Sequence, residues 1–302
     1  MVLFIWIFLI VLGIWYLYIL AKDYYLHRHE LEAVSWFKTA MIGFVVNFFD
    51  VLGIGAFAPQ TALLKFTRQT EDRIMPGTLN VANTIPVLIQ AIIFIRIIEV
   101  EPITLVAMLL SAMLGAILGA GIVSRLPERT IRWIMGSALL VTVSFMFAGK
   151  MDWIHGGGEA IGLMGGKLLI AVVLNFILGA LMTAGIGLYA PCMAIVFALG
   201  MSPKVAFPIM MGSCACLMPA ASAKFIKAGA YNRKASLAMA IPGSMAVLIA
   251  ALVVKSLPLD ALKWVVMVVI LYTSLWMFSA AFGKKKPLNP KTESIKSPLI
   301  QK

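Results

Sequence analysis

Charged residues are what this sequence has least of: Asp, Glu, Lys and Arg together make up 13% of its 302 positions. A soluble domain carries about 25%. So few charges cannot cover a water-soluble fold of this size, and apolar residues fill the balance at 62%, with a mean hydropathy of +0.98. Cysteine is scarce too. Cys192, Cys214 and Cys216 are an odd number set inside apolar runs, which argues against a disulfide framework and for small packing residues. The sequence also lacks H-E-x-x-H, G-x-S-x-G, a P-loop and G-x-G-x-x-G. Nothing therefore points to hydrolysis, ATP-driven transport or a nucleotide cofactor, and no enzyme activity is expected. His27, His29, Glu30 and Glu32 cluster after the first apolar run, but not at a zinc-ligand spacing. No metal and no cofactor is expected.

Long hydrophobic runs are abundant. They cover about 1–20, 34–66, 74–98, 102–124, 130–149, 167–201, 205–228, 236–254 and 261–282, each near or above the ~20 residues that cross a bilayer. The expected fold is all-α and polytopic, with about nine transmembrane helices. Residues 1–20 have no basic segment before them and no clear small-residue cleavage site, so they read as a retained first helix. The net charge of +12 is not a nucleic-acid signal. Its lysines and arginines sit in short breaks between runs and in the tail, as they do when they orient a membrane protein.

Two runs are too long to be single spans. A straight helix over 34–66 would reach about 50 Å, against a hydrocarbon core of about 30 Å. The run 167–201 has the same problem, and the two carry matching breakers. Gly53-Ile54-Gly55-Ala56-Phe57-Ala58-Pro59 and Gly185-Ile186-Gly187-Leu188-Tyr189-Ala190-Pro191 share the pattern G-I-G-x-(aromatic)-A-P, 132 residues apart. Pro76 and Pro208 keep that offset, and Pro86 and Pro219 follow at 133. The pattern predicts an internal duplication with broken or re-entrant helices. It gives a leading helix and loop over 1–33, a first repeat over 34–150, a Gly-rich connection over 151–166, a second repeat over 167–283 and a basic polar tail over 284–302. If all nine runs cross, the C-terminal side holds 16 basic residues and the other side 9. That bias favours a cytoplasmic C-terminus in a cell membrane, with Arg125, Arg129 and Arg132 as exceptions. The spacing does not decide between inverted and parallel repeats.

Paired broken helices in corresponding halves point to a transport site. A helix broken within the bilayer exposes unpaired N–H groups and a positive dipole end. Two such ends facing one another would cradle an anion without any lysine. Pro59 and Pro191 suit the first position of a new half-helix, where the missing N–H matters least. The candidate substrate-binding residues are Gly53, Gly55, Ala58 and Pro59 with Gly185, Gly187, Ala190 and Pro191. Thr78, Asn80 and Asn83 join them from 76–86, and Ser213 and Cys214 from 208–219. Their neutral hydroxyls and amides can bind an oxyanion or tie helices together. Asp50 lies in an otherwise uncharged run just before the first break. An intramembrane carboxylate is a functional candidate by default, and coupling to a proton is one role open to it; an interfacial Asp reaching water is the other reading. Ser111, Gly115 and Gly119 form a ladder of small residues suited to close packing within the chain or in a homodimer.

The segments Asn47–Pro59 and Asp72–Asn80, with the second motif at Gly185–Pro191, resemble the TauE/SafE family of sulfite exporters. The resemblance spans about 34–283. It implies a secondary transporter exporting a small sulfur-containing anion such as sulfite or sulfoacetate, with the two Gly-Ile-Gly motifs as its marks. The alternatives are an anion channel, an intramembrane enzyme or a membrane scaffold.

Overall fold

The computed structural model describes residues 2–151, 153, 158–185, 187–253 and 259–282. The basic tail over 284–302 and most of the glycine cluster at 156–158 lie outside them. The described chain is helical almost throughout, in the order α1 (Val2–His27), α2 (Trp36–Asp50), α3 (Phe57–Phe66), α4 (Met75–Ile97), α5 (Pro102–Val123), α6 (Glu128–Lys150), α7 (Gly165–Met182), α8 (Tyr189–Ala198), α9 (Ala206–Lys227), α10 (Arg233–Val253) and α11 (Leu259–Phe282). After α1, one order occurs twice. A medium helix, a break, a short helix, a 3-10 turn and three long helices run from α2 to α6 and again from α7 to α11.

The helix ends define two faces. On one, Tyr231, just before α10, donates to Asp23 of α1 at 2.6 Å, and Arg132 near the start of α6 reaches Asp72 before α4 at 2.7 Å. Arg129 of α6 donates to the Ala281 carbonyl at the end of α11. Ser35, the N-cap of α2, donates its backbone N–H to the Gln69 side chain beyond α3 at 2.8 Å. Hence α2 begins, and α3 ends, on this same face. On the opposite face, Lys167 near the start of α7 donates to the Leu199 carbonyl just after α8, and Glu101 before α5 pairs with Ile161. Both α2–α3 and α7–α8 are therefore re-entrant hairpins, and they enter from opposite faces. By length and hydropathy seven helices qualify as spans, α7 among them. The contacts show α7 turning back, while α1, α4, α5, α6, α9, α10 and α11 run from face to face. The nine apolar runs thus correspond to seven helices that run from one face of the bundle to the other and two hairpins that turn back, because hydropathy counts runs and only tertiary contacts say where each one ends.

This arrangement redistributes the charges. Among the described residues, Lys22, Arg28, Lys38, Lys65, Arg68, Arg73, Arg125, Arg129, Arg132, Lys224, Lys227, Arg233 and Lys234 lie at the first face. Arg96, Lys150, Lys167 and Lys204 lie at the other. The three exceptional arginines join the majority, since a hairpin that does not cross shifts every loop after it to the opposite side.

The halves interlock. Helix α2 packs on α10 of the other half, α7 packs on α5, and α4 and α9 cross at the centre. Small residues make the first two contacts close. A β-carbon on Gly43 would strike the Met239 backbone, and one on Gly115 or Gly179 would strike Phe176 or Ala112. The Gly115–Gly119 ladder is thus used within the chain, against α7. Helices α4 and α9 are the most enclosed, which is why their polar side chains can be satisfied inside the protein. In contrast, α1 turns most of its apolar surface outward and is fastened by Tyr16, whose hydroxyl donates to the Val81 carbonyl at 2.6 Å.

Candidate functional site

Each Gly-Ile-Gly motif lies at the tip of a hairpin. Helix α2 stops at Asp50, and the chain turns through Gly53 (φ +80°) and Gly55 (φ +90°) before α3 starts at Phe57. These angles are open to glycine and strained for other residues. In the second hairpin α7 stops at Met182, Gly185 has φ +101°, and α8 starts at Tyr189. The prolines sit at the third helical position of α3 and α8, not the first. The reason they are tolerated is unchanged: the first intrahelical bond in α3 is made by Gln60, to the Ala56 carbonyl, so an N–H at position 59 would have no partner.

The two tips meet. Asp50, Gly55, Ala56 and Phe57 of the first face Met182, Gly187, Leu188 and Tyr189 of the second, and Asn83 and Val87 of α4 and Cys214 of α9 complete the lining. They enclose about 20 Å³, room for about one water, so the tips are closed on one another. The N-termini of α3 and α8 converge here from opposite faces, and each contributes unpaired N–H groups and a positive dipole end.

Asp50 is 2% exposed, which settles its position as buried rather than interfacial. Its Oδ2 accepts from the Gln90 side-chain amide at 2.7 Å, and the Gln90 carbonyl accepts from the Tyr189 hydroxyl at 2.9 Å. That hydroxyl is also 3.5 Å from Asp50. Oδ1 is buried with no well-formed hydrogen bond among the described residues, while the Ala56 amide at the start of α3 also acts on the carboxylate. Gln60 of α3 and Asn83 of α4 exchange side-chain hydrogen bonds one turn further along.

Of the candidates from sequence, Asp50, Gly55, Gly187, Asn83 and Cys214 line the cavity. Gly53 and Gly185 shape the turns behind it, against Phe207 and Met135. Ala58, Pro59, Ala190 and Pro191 form the first turns of α3 and α8. Ser213 instead accepts from Asn175 at 2.9 Å, tying α7 to α9. Asn80 donates to the Pro76 carbonyl. Thr78 lies at the basic face, where it accepts from the Asn232 N–H. Sequence reasoning passed over Gln90 and Tyr189. Gln90 was visible as a lone amide in an apolar run, and Tyr189 as the single hydroxyl by which the second aromatic differs from Phe57.

A larger recess of about 490 Å³ opens on the basic face. There Lys65 contacts both oxygens of Asp72 at 2.7 Å, and Arg132 bridges Asp72 and Glu128. The recess mixes Lys65, Arg68 and Arg132 with Glu32, Glu71, Asp72 and Glu128, so its charges are largely answered from within. Glu32 accepts from the backbone N–H groups of Arg233 and Lys234 and so caps α10. Burial and the neighbouring Asp23 carboxylate hold the Tyr231 hydroxyl well above its usual range. The tips, by contrast, offer helix ends with no basic side chain lining them.

A search of the curated proteins and of the solved structures returns no match. The family model described as "Sulfite exporter TauE/SafE" matches residues 1–166 and 167–300. With this match over nearly the whole chain, and with membrane-spanning helices built around two re-entrant tips, the protein belongs to the TauE/SafE sulfite exporter family.

Proposed function

We propose that the protein is a secondary transporter that exports sulfite or a small organosulfonate, holding the anion between the N-termini of α3 and α8. The observation that carries this reading is the meeting of two half-helix N-termini from opposite faces. Opposed broken helices of this kind form substrate sites in inverted-repeat transporters, and helix N-termini bind oxyanions through backbone N–H groups. The recurring element order and the opposed hairpins support two inverted copies of one ancestral unit. The excess of basic residues at the face where α11 ends supports a cytoplasmic C-terminus in the cell membrane.

Asp50 gives this site a means of coupling. Its carboxylate competes with a substrate anion for the same positive helix ends, because two like charges cannot share so small a cavity at low dielectric. Protonation removes that competition and lets the anion bind. Loss of the proton on the other side helps expel it. Counterflow in proteoliposomes, with sulfite, sulfate, sulfoacetate and taurine as competing substrates, tests the reading. Sulfite or sulfoacetate should exchange faster than sulfate. Exchange of none of the four would overturn it.

A further inference from the structure

A second feature is separate from the tips. Helices α1 and α5 both lie against α9 but scarcely touch each other, so an open seam runs between them over the surface of α9. It widens twice. Toward the basic face a recess of about 640 Å³ has Trp15, Ile19 and Ile117 in its walls and Lys22, Lys224 and Lys227 beside them. Toward the other face a wholly apolar recess of about 210 Å³ is lined by Phe4, Phe8, Val106 and Leu110.

The three lysines are exposed, and none of their ammonium groups has a partner among the described residues. Asp23, which also borders the recess, does not neutralise them, because Arg233 and Tyr231 already engage it at 2.7 and 2.6 Å. Lys224 and Lys227 stand in the last turn of α9. Lys22 faces them from the last turns of α1. Unanswered positive charge thus sits at the water-facing end of an apolar channel. From Lys22 back to Phe8 the seam runs about 21 Å along α1, more than the ~15 Å depth of one leaflet.

We infer that this seam binds one phospholipid with an anionic head group, its phosphate held by Lys22, Lys224 and Lys227 and an acyl chain laid over α9 between α1 and α5. Basic pockets between helices at a cytoplasmic face select anionic lipid, and the apolar seam supplies what a free phosphate would not use. Such a lipid would fasten α1 to the body along the side where protein contacts are sparse.

The test uses the full chain purified in a neutral detergent and titrated with dioleoyl phosphatidylglycerol or dioleoyl phosphatidylcholine. Thermal unfolding and native mass spectrometry are read together. Phosphatidylglycerol should raise the unfolding temperature at a concentration at least about tenfold lower than phosphatidylcholine, each lysine contributing about fivefold. Lys22→Gln/Lys224→Gln/Lys227→Gln should erase that preference, and the triple Lys→Arg variant should keep it. Ala223→Phe narrows the recess without altering charge and should lower the number of retained lipids from one to none. Inorganic phosphate should give no shift. Equal stabilisation by both lipids, a preference that survives the triple Gln variant, or a dimer with the seam covered and no retained lipid would each overturn the proposal.

Discussion

At matching positions 132 residues apart, the first hairpin carries Asp50 where the second carries Met182, and the second carries Tyr189 where the first carries Phe57. Gly43 and Asn47 of α2 correspond to Asn175 and Gly179 of α7, the same pair of residue types in swapped order. Lys65, paired with Asp72 at the basic face, corresponds to Phe197. The backbone plan is common to both halves: helix, glycine turn, short helix with proline in its first turn. The chemistry is not. Glycine, proline and close helix packing fix the shape of the tips, and those needs are alike on both sides. Charge is placed once, on one side of the cavity and at one face. The two walls of the cavity between the tips therefore differ in chemistry while sharing a backbone plan.

The largest expected effects come from filling the cavity. Gly55→Leu and Gly187→Leu should each lower sulfite counterflow at least about a hundredfold, a barrier of roughly 2.7 kcal/mol, with membrane expression largely kept. Counterflow near the unsubstituted rate in both variants would separate the tips from transport. Next is the one-sided ion pair. Asp72→Asn removes the carboxylate that Lys65 and Arg132 share, and loss of one partner from a buried pair costs about 3 kcal/mol. Phe197→Leu, at the position matching Lys65, should cost about 1 kcal/mol. Thermal unfolding of the two variants in one detergent measures the difference, and equal shifts would show that Lys65–Asp72 adds nothing to its half.

A finer comparison uses alanine. Gly55 has φ +90°, and a β-carbon added to it meets only the Tyr189 side chain, at 3.9 Å. Gly55→Ala should therefore destabilise by about 1–2 kcal/mol through the left-handed backbone and not through a clash, a loss that thermal unfolding measures. Smallest is the polar tie between helices. Asn175→Ala removes bonds to Met108 and Ser213 and should cost about 0.6–1.7 kcal/mol. Asn47→Ala, which loses only a bond within α2 to Gly43, should cost less.

The tips were legible in the sequence because glycine and proline act on the backbone where they stand. Seven residues repeated at one offset were enough to locate both turns. The direction of each run was not legible, since it depends on contacts such as Ser35 with Gln69 that join residues far apart in the chain. That is also why Arg125, Arg129 and Arg132 were assigned to the wrong face. Asp50 stood out as a charge in an apolar run, but its partner Gln90 is 40 residues away on α4, and only the fold unites them. Thr78 was grouped with Asn83 by composition, yet the helix carries it toward the basic face and onto Asn232.

In the proposed mechanism Asp50 shares the cavity with the anion and gives up its charge when the anion binds. Asp50→Asn mimics the protonated carboxyl with little change in volume, and it keeps an acceptor for Gln90. Sulfite exchange and export driven by a pH gradient should be measured side by side on purified Asp50→Asn in proteoliposomes. Exchange should persist within about threefold of the unsubstituted protein, a change of about 0.7 kcal/mol, while gradient-driven accumulation falls to the level of passive equilibration. If both activities survive unchanged, Asp50 is not where the proton and the anion are linked.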